Sequence, residues 1–180
     1  MQHSSNMLVP VVDWGLTFNE VPDKLAVYFS LGDCGKHCKG CHSPELWEPI
    51  EGAPMVVFLK IAERAVEQGA NAICVLGGTD CNSYTRSELI LFLQQLSNIA
   101  PTCLYSGSDD IIEMQRIATL GNCTWLKTGS YKEDLGGLQS HTTNQRFFKK
   151  ELRTHIDYRE RNYSVESYWL DMTEYFWNKG

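Results

Sequence analysis

Three cysteines carry the most reactive chemistry in this chain. Cys34, Cys38 and Cys41 stand at C-x3-C-x2-C spacing within Ser30-Leu-Gly-Asp-Cys-Gly-Lys-His-Cys-Lys-Gly-Cys-His42. Glycines at 32, 35 and 40 let the backbone curl, so three thiolates can face one point. Three thiolates are one short of the closed set for tetrahedral zinc or for a four-iron cluster. A four-iron cluster held this way leaves one iron open to a substrate or cofactor. A zinc site would instead draw its fourth ligand from His37 or His42, and spacing alone leaves both open. No second C-x2-C pair follows, as a zinc knuckle would normally have, and the rest of the chain supplies a core without one.

The surrounding composition narrows the setting. A chain of 180 residues fits one domain, residues 1–180, with enough apolar content (43%) for a core that needs no disulfides. Seven cysteines, three of them in one loop, read as metal ligation in a reducing compartment. The net charge of −6 and the lack of a basic stripe argue against a nucleic-acid partner. No apolar run approaches the roughly 18 residues of a membrane span. The polar start, Met1 to Asn6, lacks the pattern of a signal peptide, so a cytoplasmic location is expected.

Elements that position the loop follow from periodicity. Leu8 to Phe18 permits a strand, and Leu25–Ser30 is an apolar run of the kind buried on both faces of a parallel sheet. The cysteine loop therefore sits at the C-terminal end of that strand, the edge where α/β folds bind ligands. Trp47, in the irregular stretch that follows, is expected to cover a core edge. Helices are predicted over 54–68 and 85–99, the second opened by a Thr85-x-x-Glu88 capping box. A third begins at the acidic pair Asp109-Asp110 and stops at Gly121. Strands at 72–76, 102–106 and 123–127 alternate with these helices, which predicts βαβ units and a partial, open βα barrel of mainly parallel strands. Residues 130–145 form a long polar loop, a length usually associated with function. Arg146–Lys150 is a candidate strand and 151–167 is charged and weakly patterned, with Arg159-Glu-Arg161 expected in solvent. Trp169–Trp177 reads as a last strand. The core spans about 16–150, followed by a C-terminal extension, 151–180.

Gly77-Gly78-Thr79-Asp80 ends the second strand of the alternation, at the same edge as the cysteine loop. A glycine pair there lets backbone groups approach a ligand closely. Ser106 and Lys127 end the next two strands and either point at the same site or are a turn serine and a solvated lysine. Cys74, Cys103 and Cys123 fall in buried strands, where free cysteine acts as a small hydrophobe. Cys81 follows the glycine motif with no assigned role.

The three-cysteine loop after one strand and the Gly-Gly turn after the next resemble the radical S-adenosylmethionine enzymes. Thr17-Phe-Asn-Glu-Val-Pro22, Cys38-Lys-Gly-Cys-His-Ser-Pro44, Leu104-Tyr-Ser-Gly107, Lys127-Thr-Gly-Ser-Tyr131, Gly136-Gly-Leu138 and Thr142-Thr-Asn-Gln-Arg146 resemble, more narrowly, the activating proteins of anaerobic ribonucleoside-triphosphate reductases. Gly40 stands where most of the superfamily has an aromatic residue, a departure these activating proteins share. The resemblance implies that Cys34, Cys38 and Cys41 hold a [4Fe-4S] cluster whose open iron chelates S-adenosylmethionine. Gly40 and Gly77–Asp80 would lie against that cofactor. Asn144, Gln145 and Arg146 would contact cofactor or partner, or cap a strand. It further implies a reductase as partner, which receives a glycyl radical, and a flavodoxin- or ferredoxin-type electron donor. Two alternatives remain at this point: a related enzyme acting on a small molecule, as in deazaguanine-type synthases, or a zinc or iron–sulfur module without catalysis.

Overall fold

The computed structural model describes residues 7–157 and 162–179. The expected tail at 1–6 and Arg159-Glu-Arg161 lie outside the described residues. Among those described, a sheet of seven strands carries three α-helices on one face.

The N-terminal strand is split at Pro10 into β1 (Leu8–Val9) and β2 (Val11–Thr17). β3 (Ala26–Leu31) follows, with five of its six residues buried. A short 3-10 turn over Pro44–Trp47 and β4 (Ala53–Pro54), which pairs with β1, lead into α1 (Met55–Glu67). Then come β5 (Ala72–Leu76), α2 (Arg86–Ser97), β6 (Thr102–Tyr105), α3 (Ile111–Leu120) and β7 (Trp125–Thr128). The chain ends in β8 (Arg146–Asp157), β9 (Asn162–Asp171) and a 3-10 segment over Thr173–Lys179.

Local chemistry explains the helices. Phe58, Ala62 and Ala65 line the buried stripe of α1. Thr85 accepts from the Glu88 amide while Glu88 accepts from the Thr85 amide, the reciprocal cap expected from the sequence. Asp110 caps α3 through the Glu113 amide.

Strand order is β2-β3-β5-β6-β7-β8-β9. The pairs β3/β5, β5/β6 and β6/β7 are parallel, but β2/β3, β7/β8 and β8/β9 are antiparallel, and together these carry the larger share of the register pairs. The expected partial βα barrel of mainly parallel strands is therefore wrong. The fold is an open, mixed α/β sheet whose ladder is mostly antiparallel. The physical reason is the connection after β7: a loop without a helix reverses the chain, and a reversed chain pairs antiparallel. A further expectation is corrected. The last strand is not Trp169–Trp177 but Asn162–Asp171, so that the weakly patterned residues 151–157 and 162–167 lie in β8 and β9.

Alternation along the strands divides the core. Val27, Phe29, Ile73, Val75, Leu104, Leu126 and Phe148 pack with the helices. Ala26, Ala72, Cys74, Cys103, Trp125 and Phe147 face the other way and meet Val21, Leu138 and Phe176. The C-terminal 3-10 segment thus covers the face that the helices leave open. No described helix is long and apolar enough to cross a membrane.

Candidate functional site

Because β3, β5, β6 and β7 run in one direction, their C-terminal ends bring the cysteine loop, Gly77–Asp80, Ser106 and Lys127 to one edge of the sheet. The cysteine loop is built in from its base. Gly32 donates its amide to Pro10 O at 2.8 Å, and a Cβ there would meet Val12 at 2.6 Å. Asp33, buried, adopts φ 56° and accepts from Asn82 Nδ2 at 3.2 Å. Hydrogen bonds from Ser83 and Asn82 hold its carboxyl below the usual carboxylate range.

Two backbone bonds then join this loop to the glycine turn. The Gly35 amide donates to Asp80 O at 2.8 Å, and the Asn82 amide to Asp33 O at 3.1 Å. They make a short antiparallel bridge with Cys34 opposite Cys81. A Cβ on Gly35 would meet Asn82 Oδ1 at 2.8 Å and Asp80 O at 3.3 Å, so a larger residue would displace the Asn82 side chain. Further along, Cys41 donates its amide to Cys38 O at 3.1 Å, and the Ser43 amide donates to Cys41 Sγ at 3.4 Å. Cys34, Cys38 and Cys41 are all half-buried. His37 and His42 are exposed; His37 stacks on Trp47 at 4.9 Å, so that tryptophan covers the loop.

Gly77 and Gly78 take φ of 92° and 91°. A Cβ on Gly78 would meet Leu31 Cδ1 at 2.6 Å. This left-handed pair returns the chain so that Thr79 is buried, with its hydroxyl 2.7 Å from Ser106 Oγ and 3.0 Å from Asp80 Oδ2. Ser106, also buried, accepts from the Ser108 amide at 3.0 Å and contacts Met114 Sδ at 3.0 Å. It is no surface turn serine. Asp80 pairs with Lys36 of the cysteine loop at 3.9 Å.

Lys127 donates to Gly129 O at 3.1 Å, with its ammonium 5.9 Å from the centre of the Tyr105 ring. Burial pulls its pKa down to about 8, opposed first by the charge on Cys38 and also by Glu20, Asp109 and Cys41. Lys127 is half-buried at the same sheet edge and not a fully solvated lysine. Burial pushes the Cys34 thiol up; a backbone hydrogen bond at Lys36 opposes this, and charges on Asp80, Cys38 and Cys41 add to it.

The long loop lies against the cysteine loop. His42 meets Tyr131 edge-on at 5.0 Å, Lys39 pairs with Glu133 at 3.2 Å, and a Cβ on Gly40 would touch the Glu133 side chain. Asn144 and Gln145 hold that loop: Asn144 Nδ2 donates to Ser130 O at 3.0 Å and to Asp109 Oδ1 at 3.3 Å, and Gln145 Nε2 to Gly129 O at 3.3 Å. Asn144 Oδ1 is buried without a partner among the described residues. Arg146 is engaged elsewhere, donating to Thr143 O and Gln145 O and lying 3.9 Å from Asp171. With Asp171, Thr173 and Trp177 it lines a cavity of about 400 Å³ by the C-terminal segment.

Sequence reasoning missed Asp109, Tyr131, Glu133 and the pairing of Cys81. Asp109 does not cap α3; it accepts from the Ser130 amide at 2.9 Å and the Ser130 hydroxyl at 2.8 Å. Two adjacent acids before a helix do not reveal which one caps it.

Among the described residues, no three His, Cys, Asp or Glu side chains close on one point tightly enough to hold a metal ion. Thiols are the donors that iron–sulfur clusters and zinc take. Three of them belong to one eight-residue loop segment, and a fourth, Cys81, stands opposite Cys34 across the bridge to the glycine turn. No family model, curated protein or solved structure matches this chain.

Proposed function

We propose that the chain is a radical S-adenosylmethionine activase that installs a glycyl radical on an anaerobic ribonucleoside-triphosphate reductase. One observation carries the reading: the C-x3-C-x2-C loop and the Gly77–Asp80 turn are fastened together by Gly35 N to Asp80 O and Asn82 N to Asp33 O, at one edge of the sheet. In this reading Cys34, Cys38 and Cys41 hold a [4Fe-4S] cluster with S-adenosylmethionine on its open iron. With one electron from a flavodoxin- or ferredoxin-type donor, that pair would supply the radical chemistry by which hydrogen is taken from a glycine of the reductase.

The protein's own residues orient and shield. Gly77 and Gly78 turn the backbone so that Thr79 and Asp80 come beneath the cysteine loop, and the Thr79–Ser106 contact fixes that turn to β6. Lys127 keeps a cation within electrostatic reach of Cys38 and Cys41, offsetting thiolate charge in a partly dehydrated setting. Tyr131 and Glu133 hold the long loop against Lys39–His42.

The test is anaerobic. Protein reconstituted with iron and sulfide is given dithionite and S-adenosylmethionine, and 5′-deoxyadenosine is the expected product. A candidate reductase added to the mixture should acquire a glycyl-radical doublet in paramagnetic resonance. Cleavage without that doublet assigns a small-molecule substrate instead. Stoichiometric zinc in the native protein with no cleavage at all would sink the radical reading.

A further inference from the structure

We propose that Cys34 and Cys81 are joined by a disulfide when the cysteine loop carries no metal, a modification that withdraws one loop thiol from ligation. The bond itself follows from backbone pairing alone; its consequence for iron rests on the ligand assignment above.

Cys34 and Cys81 are partners in an antiparallel bridge, flanked on both sides by Gly35 N to Asp80 O (2.8 Å) and Asn82 N to Asp33 O (3.1 Å). A pair flanked in this way is the close kind, with Cα atoms about 4.5 Å apart and both side chains on one face. Disulfides span Cα separations of about 4.4–6.8 Å. Both thiols are free and half-buried, so a small oxidant can reach them. Cys74 and Cys103 are also register partners, but both are fully buried and burial pushes both thiols up. That pair is shut off from solution chemistry.

The oxidant is a low-molecular-weight disulfide. One thiolate of the pair attacks it, forming a mixed disulfide and expelling a first small thiolate. The second protein thiolate then displaces the other small thiolate, closing the Cys34–Cys81 bond. Two protein thiols are oxidised, one small disulfide is reduced, and the two protons leave on the released thiols.

Chelator-treated full-length protein is incubated anaerobically with oxidised glutathione, alkylated, digested with trypsin without reduction and mapped by mass spectrometry. Cleavage after Lys24, Lys36, Lys39, Lys60, Arg64 and Arg86 puts Cys34, Cys38, Cys41 and Cys81 in separate peptides: 25–36, 37–39, 40–60 and 65–86. The expected product links 25–36 to 65–86, and Cys81→Ser abolishes it. Because 65–86 also contains Cys74, a link that survives Cys81→Ser would overturn the proposal. So would a dominant link between 37–39 and 40–60, the competing Cys38–Cys41 pair. The cross-linked protein is then offered ferrous iron alone, without sulfide, which would itself cleave the disulfide, and without thiol reductant. It should lose most of its iron uptake and regain it after dithiothreitol. Undiminished uptake would refute the withdrawal of Cys34. A reduced protein that loads iron but fails to cleave S-adenosylmethionine counts against the proposed function and leaves the disulfide standing.

Discussion

Burial lowers the Lys127 pKa from the ordinary 10.5 to about 8, and this has a measurable consequence for stability. Between those values the unfolded chain binds a proton that the folded chain does not, so folding is penalised below about 8 and relieved as pH rises through the window. Replacing Lys127 with Met removes the penalty. In metal-free protein, Lys127→Met should unfold at a higher temperature than wild type at pH 7, with the gap closing towards pH 10.5; a constant gap would show that Lys127 is solvated. The buried Thr79–Ser106 contact makes a second residue-scale prediction. Ser106→Ala leaves the Thr79 hydroxyl and the Ser108 amide short of a partner, which costs roughly 1–3 kcal/mol. Urea unfolding should show the loss, and an unchanged midpoint would mean water replaces Ser106 without penalty. Residue chemistry was readable for the thiols, whose spacing is local. It was not readable for Asn144 and Arg146, two positions apart yet turned to different partners, because Asp109 and Asp171 lie far along the chain.

Elements were readable where one face is buried. The stripe of α2 and its Thr85–Glu88 cap follow from spacing alone, and β3 and β5 from unbroken apolar runs. The outer part of the β8/β9 hairpin gave no such signal. Leu152 is 70% exposed, Tyr163 71% and Val165 54%, so no face is buried to impose a two-residue period. At the glycine turn the element dictates the residue. Gly78→Ala places a Cβ at φ 91° and 2.6 Å from Leu31 Cδ1. Backbone strain of this kind costs about 1–3 kcal/mol. We expect a lower unfolding temperature together with weakened S-adenosylmethionine binding in isothermal titration; normal binding would remove the turn from the proposed site.

On the scale of the whole molecule, three βα repeats were correctly ordered in sequence, yet the sheet they enter is mixed. Helical spacing identifies crossovers between parallel strands, whereas nothing in residues 130–145 states that the next strand reverses. The two antiparallel additions, β2 and the β8/β9 hairpin, complete the sheet at either edge. Since the outer hairpin lies beyond the two core clusters, it contributes little to them. Deleting 153–166 and joining Leu152 to its register partner Ser167 through Asn-Gly should preserve cooperative unfolding. Loss of a single transition in calorimetry would show that the arm is integral to the core.

The fastening of Asp33 to Asn82 also orders events in time. These residues are 49 positions apart. At about 5–20 residues per second, the ribosome takes roughly 2–10 s to travel from one to the other. For that interval the three thiols of the loop exist on a growing chain with neither the glycine turn nor β5 to hold them. Iron that arrived then would meet flexible ligands free to bind in any combination. If the proposed function holds, faithful iron loading belongs after synthesis of the Gly77–Asn82 turn, once the sheet is there to hold the loop.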